Sequence, residues 1–192
     1  KIPSFRDDIE FTADIAEEVM RLYGYDHIVG TAIKGDAIMG GKGAKLSLQT
    51  ELRKLLTALG LYEIYTYSFI AKGETEKLGL DAANAITILN PLGEEYSVMR
   101  TQLISSMLGV LSTNINHGMN EGSFFEISKR FIAKAIPLTE QPNELTTLSL
   151  GMFGDNEDFF TLKGVVEAVL KALGVKDAEY ETENLPPYLH PG

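Results

Sequence analysis

Four carboxylates near the N-terminus have the types and spacing to hold a divalent cation: Asp8 ahead of an expected helix, then Asp14, Glu17 and Glu18 on its first turns. Spacing of i, i+3 and i+4 sets the last three on one helical face, with Arg21 a turn further along at i+7. Hard oxygen ligands suit magnesium, which keeps several waters and does not demand a complete protein cage. The same residues also suit a solvated face whose negative charge complements the positive helix N-terminus. Both readings need one helix, and Ile15, Val19 and Leu22 supply its apolar stripe while Gly24 is a suitable stop.

Other chemistry is poorly provided for. His27, His117 and His190 are far apart in sequence and none has metal-ligand spacing. Gly40-Gly41-Lys42-Gly43 lacks the Walker spacing and the hydroxyl residue after Lys, which leaves a flexible connector. Tyr62, Tyr65 and Tyr67 could stack bases, but aromatics alternating along a strand in an acidic chain are expected in the core. Lys163 is expected on a helix surface, tied to packing. The net charge is -10, from 17 basic and 27 acidic residues. Phosphate affinity comes largely from Lys and Arg displacing counterions, so this chain is expected to meet proteins rather than RNA.

The elements that must position these residues follow from periodicity. A helix from Leu46, with Ser47 as N-cap and Gly60 as stop, carries Leu48, Leu52, Leu55, Leu56 and Leu59. Residues 61–70 alternate as a strand, and residues 86–89 form a short apolar strand ended by Asn90-Pro91. A helix with Leu103, Met107, Leu108, Leu111 and Ile115 on its core face precedes two strands, Ser123 to Ala133 and Leu145 to Phe153. A last helix runs from Phe159 to Leu173. This order implies an α+β domain around a mainly antiparallel sheet flanked by helices. Residues 1–30 read as the end of a preceding domain, 31–45 as a glycine-rich linker and 46–192 as the main module. The chain contains no cysteine, no apolar run approaches the roughly 20 residues that span a bilayer, and no signal-peptide pattern is present, so a cytoplasmic, non-membrane protein is expected.

Ordered blocks across the chain resemble the beta-subunit family of bacterial phenylalanyl-tRNA synthetases. They are Pro3-Ser4-Phe5-Arg6, Arg21-Leu22-Tyr23-Gly24-Tyr25, Asn90-Pro91-Leu92, Met99-Arg100 with Leu103, Phe124-Phe125-Glu126-Ile127, Asp158-Phe159-Phe160 with Leu162-Lys163-Gly164, and His190-Pro191-Gly192. The resemblance implies a C-terminal-half piece holding most of a class II synthetase catalytic-like module, in which the helix and strand after residue 45 match that class's first motif and build subunit contacts. It implies magnesium bound through Asp8, Asp14, Glu17 and Glu18 in a site shared with the alpha subunit. It further implies an alpha2-beta2 heterotetramer that joins phenylalanine to its tRNA with ATP, the alpha chain doing the chemistry and tRNA meeting other parts of the assembly.

This chain departs from the class II active-site pattern. ATP phosphates call for planar charged donors, an arginine with a nearby glutamate and a glycine-rich segment ending in a second arginine. Arg130 comes late on its strand with no glutamate soon after, no Gly-x-Gly-x-x-x-Arg occurs, and the chain ends before the third motif would be expected. No catalytic residue and no ATP site is therefore expected here. A stand-alone, non-enzymatic protein-binding module on a synthetase fold is the alternative.

Overall fold

The computed structural model describes residues 1–80, 83–181, 183, 185, 186, 188 and 189. The chain divides into two compact units, Lys1–Gly41 and Lys42–Gly192. In the first, helix α1 (Thr12–Tyr23) has no buried residue, and its stripe of Ile15, Val19 and Leu22 is exposed. Gly24 ends it at φ +106, its N–H bonded to the Met20 carbonyl at 2.8 Å, a conformation L side chains rarely adopt. A single 3-10 turn, Tyr25–His27, follows.

The second unit begins with α2 (Ala44–Ala58), earlier than its sequence suggests. Ser47 is not the cap: its N–H bonds the Gly43 carbonyl at 2.9 Å, which places it inside the first turn. The stop is as expected, with Gly60 at φ +90 and the Leu61 N–H returning to the Leu56 carbonyl at 3.1 Å. Then come β1 (Tyr62–Glu63), β2 (Phe69–Ile70), the short α3 (Gly73–Lys77), β3 (Val98–Met99), α4 (Ile104–Asn116), β4 (Gly122–Ile132), β5 (Asn143–Phe153) and α5 (Phe159–Ala172). Among the described residues no helix is long and apolar enough to cross a membrane.

One sheet has the order β1-β4-β5, with β1 parallel to β4 and β4 antiparallel to β5 from Gly122↔Phe153 to Ile132↔Asn143. A second sheet pairs β2 with β3 antiparallel. The architecture is α+β, with one of the three strand pairings parallel. The strand expected over 61–70 is broken into β1 and β2, and that expected at 86–89 reduces to a bridge between Thr87 and Val98.

Side chains alternate across β4, so Phe125 and Ile127 point to one face and Glu126 and Ser128 to the other. On the first face Leu52 and Leu56 of α2, Leu61, and Val165 and Val169 of α5 close the core, with Leu148, Leu150 and Met152 of β5 packed against it. Met107 of α4 is buried against Gly151 of β5, where a Cβ would lie 2.7 Å from the Met107 sulfur. Leu108 and Ile115, expected on the core face of α4, are exposed, because only one side of that helix meets the sheet.

Candidate functional site

In the first unit the four carboxylates do not meet. Arg6 takes two of them: its Nη2 lies 2.7 Å from Asp8 Oδ2 and 2.6 Å from Glu18 Oε1, while Arg21 Nη2 holds the other Glu18 oxygen at 2.6 Å. Asp14 turns back over the helix start and accepts the Glu10 and Phe11 N–H groups at 2.8 and 2.6 Å, satisfying donors that the first turn leaves open. Glu17 is exposed. Three neighbours on one helical face thus have three employments, and among the described residues no three His, Cys, Asp or Glu converge as a metal set. As arranged, the donors suit magnesium in chemistry and not in placement.

The hydrogen bonds to Arg6 hold the Asp8 carboxyl down at about 2. Arg6 first, then Arg21, bring Glu18 down to about 2. Depressed carboxyl values mean that this cluster contributes fully above the ordinary carboxylate range and is lost as pH falls toward about 2. In Arg6→Ala the Glu18 side chain keeps only Arg21. Its carboxyl carbon, followed by NMR, should then titrate closer to the ordinary 4.5; an unchanged midpoint would exclude Arg6 as the main cause.

The second unit contains a polar cluster that the sequence did not disclose. Arg100 is fully buried, and so is Glu126. Both guanidinium Nη atoms lie 3.2 Å from Glu126 Oε1. Arg100 also donates to the Thr66 hydroxyl at 2.7 Å, the Ser128 hydroxyl at 2.5 Å and the Lys129 carbonyl at 3.0 Å. Glu126 in turn accepts from the Thr66 N–H at 3.2 Å and the Thr66 hydroxyl at 2.7 Å. A carboxylate thus serves the chain at Thr66 where a ladder carbonyl otherwise would, which is why β1 stops after two residues. Buried charges persist only when paired and hydrogen-bonded, and this pair is both. The clue was a charge inside each apolar run, Val98-Met99-Arg100 and Phe125-Glu126-Ile127.

The aromatics of this 61–70 segment face outward. Tyr62, Tyr65 and Tyr67 are 73, 89 and 74% exposed, contrary to the expectation of core positions. Tyr65, Tyr67, Phe69, Met99 and Phe131 line a hollow of about 580 Å³. The Tyr67 ring meets Tyr96 edge-on at 5.6 Å.

The remaining candidates occupy local sites. His117 Nδ1 lies 2.6 Å from the Thr113 carbonyl at the end of α4, and His27 packs against the Tyr23 ring. His190 lies outside the described residues, as does the whole His190-Pro191-Gly192 block. Lys163 sits over the Tyr180 ring at 4.7 Å and beside Glu167 at 3.7 Å, on the outer side of α5. Arg130 borders a hollow of about 540 Å³ walled mostly by Leu103, Leu148, Leu150, Leu162 and Val166, and its Nε has no hydrogen-bond partner among the described residues.

The family model described as the phenylalanyl tRNA synthetase beta chain CLM domain matches residues 28–192, and that of the tRNA synthetase B5 domain matches residues 1–25. The phenylalanine-tRNA ligase beta subunit of Clostridium acetobutylicum is 38% identical over 99% of this chain, which covers 24% of that protein. The corresponding subunit of Syntrophus aciditrophicus is 36% identical over 100% of the chain, covering 26% of its length. The chain therefore spans about a quarter of these relatives. Among solved structures, pyrrolysyl-tRNA synthetase from Desulfitobacterium hafniense superposes with a TM-score of 0.57 at 19% identity, over 87% of this chain and 55% of that one. That likeness concerns fold alone. With a family model covering most of its length and near-complete alignment to named beta subunits, the chain belongs to the phenylalanyl-tRNA synthetase beta chain family.

Proposed function

We propose that this chain serves phenylalanyl-tRNA synthetase as a non-catalytic structural module, in a cytoplasmic assembly where an alpha chain, as an alpha2-beta2 heterotetramer, activates phenylalanine with ATP and transfers it to tRNA. The observation that carries this reading is the Arg100 and Glu126 pair. In the sheet region of the second unit, Arg100 and Glu126 are buried in each other and bonded to Thr66 and Ser128, which leaves neither able to address a nucleotide. Phosphate binding needs free planar donors, and Arg100 has none to spare.

Two measurements test it. The purified chain should show no phenylalanine-dependent pyrophosphate exchange above a heat-treated control, and it should co-purify with a phenylalanine-tRNA ligase alpha chain when the two are expressed together. Exchange activity would overturn the non-catalytic assignment. Failure to capture the alpha chain would favour a stand-alone binding module.

Magnesium at Asp8, Asp14, Glu17 and Glu18 is proposed for the assembly only. In this chain Arg6 and the α1 N-terminus already occupy three of the four carboxylates. Calorimetric titration should therefore register weak magnesium binding by the chain alone and tighter binding in the heteromer, reduced by replacing Glu17 and Glu18 with Gln. Identical titrations for wild type and the double variant in the heteromer would return these residues to an ordinary solvated helix face.

A further inference from the structure

Of the four carboxylates at the start of the first unit, only two share a point in space, and that point is filled. Arg6 Nη2 lies 2.7 Å from Asp8 Oδ2 and 2.6 Å from Glu18 Oε1, bridging the segment ahead of α1 to the helix itself. A magnesium ion bridging the same two oxygens would lie about 2.0–2.1 Å from each, in the place of this nitrogen. The other two carboxylates stand apart. Asp14 accepts the Glu10 and Phe11 N–H groups at the helix start, and Glu17 is exposed.

Arg6 is held at this point from its backbone outward. Its N–H donates to the Pro3 carbonyl at 3.1 Å and its carbonyl accepts the Ile9 N–H at 3.4 Å, so two successive turns fix where the side chain starts. Its Nε adds contacts of 2.9 and 3.2 Å to the two Asp8 oxygens, the planar fork that suits a carboxylate. A lone surface ion pair is worth little, but a forked guanidinium shared by two carboxylates is the geometry that persists.

The charges of the cluster also balance. Asp8 and Glu18 carry two negative charges, and Arg6 and Arg21 carry two positive ones. A divalent ion meets no net attraction from such a set. Without Arg6 the set keeps one negative charge and two open oxygens facing a common point. Loss of a proton cannot vacate the place, because a guanidinium stays charged at any ordinary pH.

We infer that Arg6 is the resident counter-ion of this unit, and that Arg6 and a divalent cation exclude one another at Asp8 and Glu18. The inference rests on the proposal of magnesium for the assembly and narrows it. Of the four carboxylates that the resemblance implies, this fold offers two, and only once Arg6 is displaced. Asp14 and Glu17 take no part in ion binding by this chain.

The test titrates magnesium chloride into the 192-residue chain and its variants by calorimetry, and follows the Arg6 Nε–H signal of the wild type by NMR. Arg6→Gln should bind magnesium about tenfold more tightly than wild type, because a like charge has left the site. Adding Glu18→Gln to that variant should abolish the gain, and adding Glu17→Gln should leave it intact. Wild type that binds no measurable magnesium is the same result at its limit. Equal affinities for wild type and Arg6→Gln would overturn the exclusion, as would a gain that survives Glu18→Gln. The NMR measurement needs no variant, so it holds even where Arg6→Gln loosens α1. Any magnesium bound by wild type must shift the Arg6 Nε–H with the same midpoint, and saturable binding without that shift would also overturn the inference. A heteromer that takes up no magnesium would remove the shared site and leave the exclusion in the chain alone untouched.

Discussion

Replacing Arg100 with Met should cost the second unit about 3–5 kcal/mol, because it leaves the Glu126 carboxylate buried without its counter-charge. Stability of a typical domain is about 5–15 kcal/mol, so the loss takes up a large part of the total. Urea unfolding followed by circular dichroism should report it as a midpoint shifted far to lower denaturant. A second variant separates the charge from the packing. Replacing Arg100 with Met and Glu126 with Leu together removes both charges and should recover part of the loss, though the Thr66 N–H and Lys129 carbonyl remain without their partners. An Arg100→Met chain as stable as wild type would show that the cluster is not what ties the segment at Thr66 to β4.

Phe125→Ala should be comparably damaging. Phe125 has no exposed surface and sits where α2, α5 and the sheet meet, and such truncations cost about 3–5 kcal/mol through lost transfer energy and the cavity left behind. Tyr65→Ala is the contrasting case. At 89% exposure it should change stability by no more than about 0.5 kcal/mol. A similar loss from both substitutions would mean that the tyrosine is core after all.

What periodicity could reach, it reached closely. The α5 helix ends one residue short of the expected Leu173, and the two long strands begin within two residues of their expected starts. These elements bury one face against the core, so apolar spacing records them. The start of α2 is not legible in the sequence, because no side chain caps the helix and Ala44 and Lys45 add nothing to its leucine stripe. The strand at 61–70 was legible in its alternation but not in its interruption. That break depends on Glu126, which is 60 residues from Thr66 in the chain. Alternation reports which side chains share a face, and it does not report which face is covered. For the same reason the alternation points Tyr62, Tyr65 and Tyr67 to a core that they do not enter.

The carboxylates illustrate another limit. Helical spacing correctly placed Asp14, Glu17 and Glu18 on α1, yet spacing does not reveal that Arg6, six residues ahead of the helix, reaches Glu18. Residues that touch only after the chain turns are invisible to a local pattern. Arg100 and Glu126 are the clearest instance, each readable as a charge in an apolar run and neither naming its partner.

The parallel pairing of Tyr62 with Phe124 has a consequence during synthesis. A parallel partner must arrive by a crossover, and here the crossover holds β2, α3, β3 and α4. Ribosomes add about 5–20 residues per second, so the segment at 62–66 is made about 3–12 seconds before the strand that will hold it. During that interval its Thr66 N–H has no Glu126 to meet, and Arg100, once made, has no counter-charge. Non-local contacts repay their loop-closure entropy only at the end, which leaves this stretch of nascent chain open to a chaperone or an early partner in the interval.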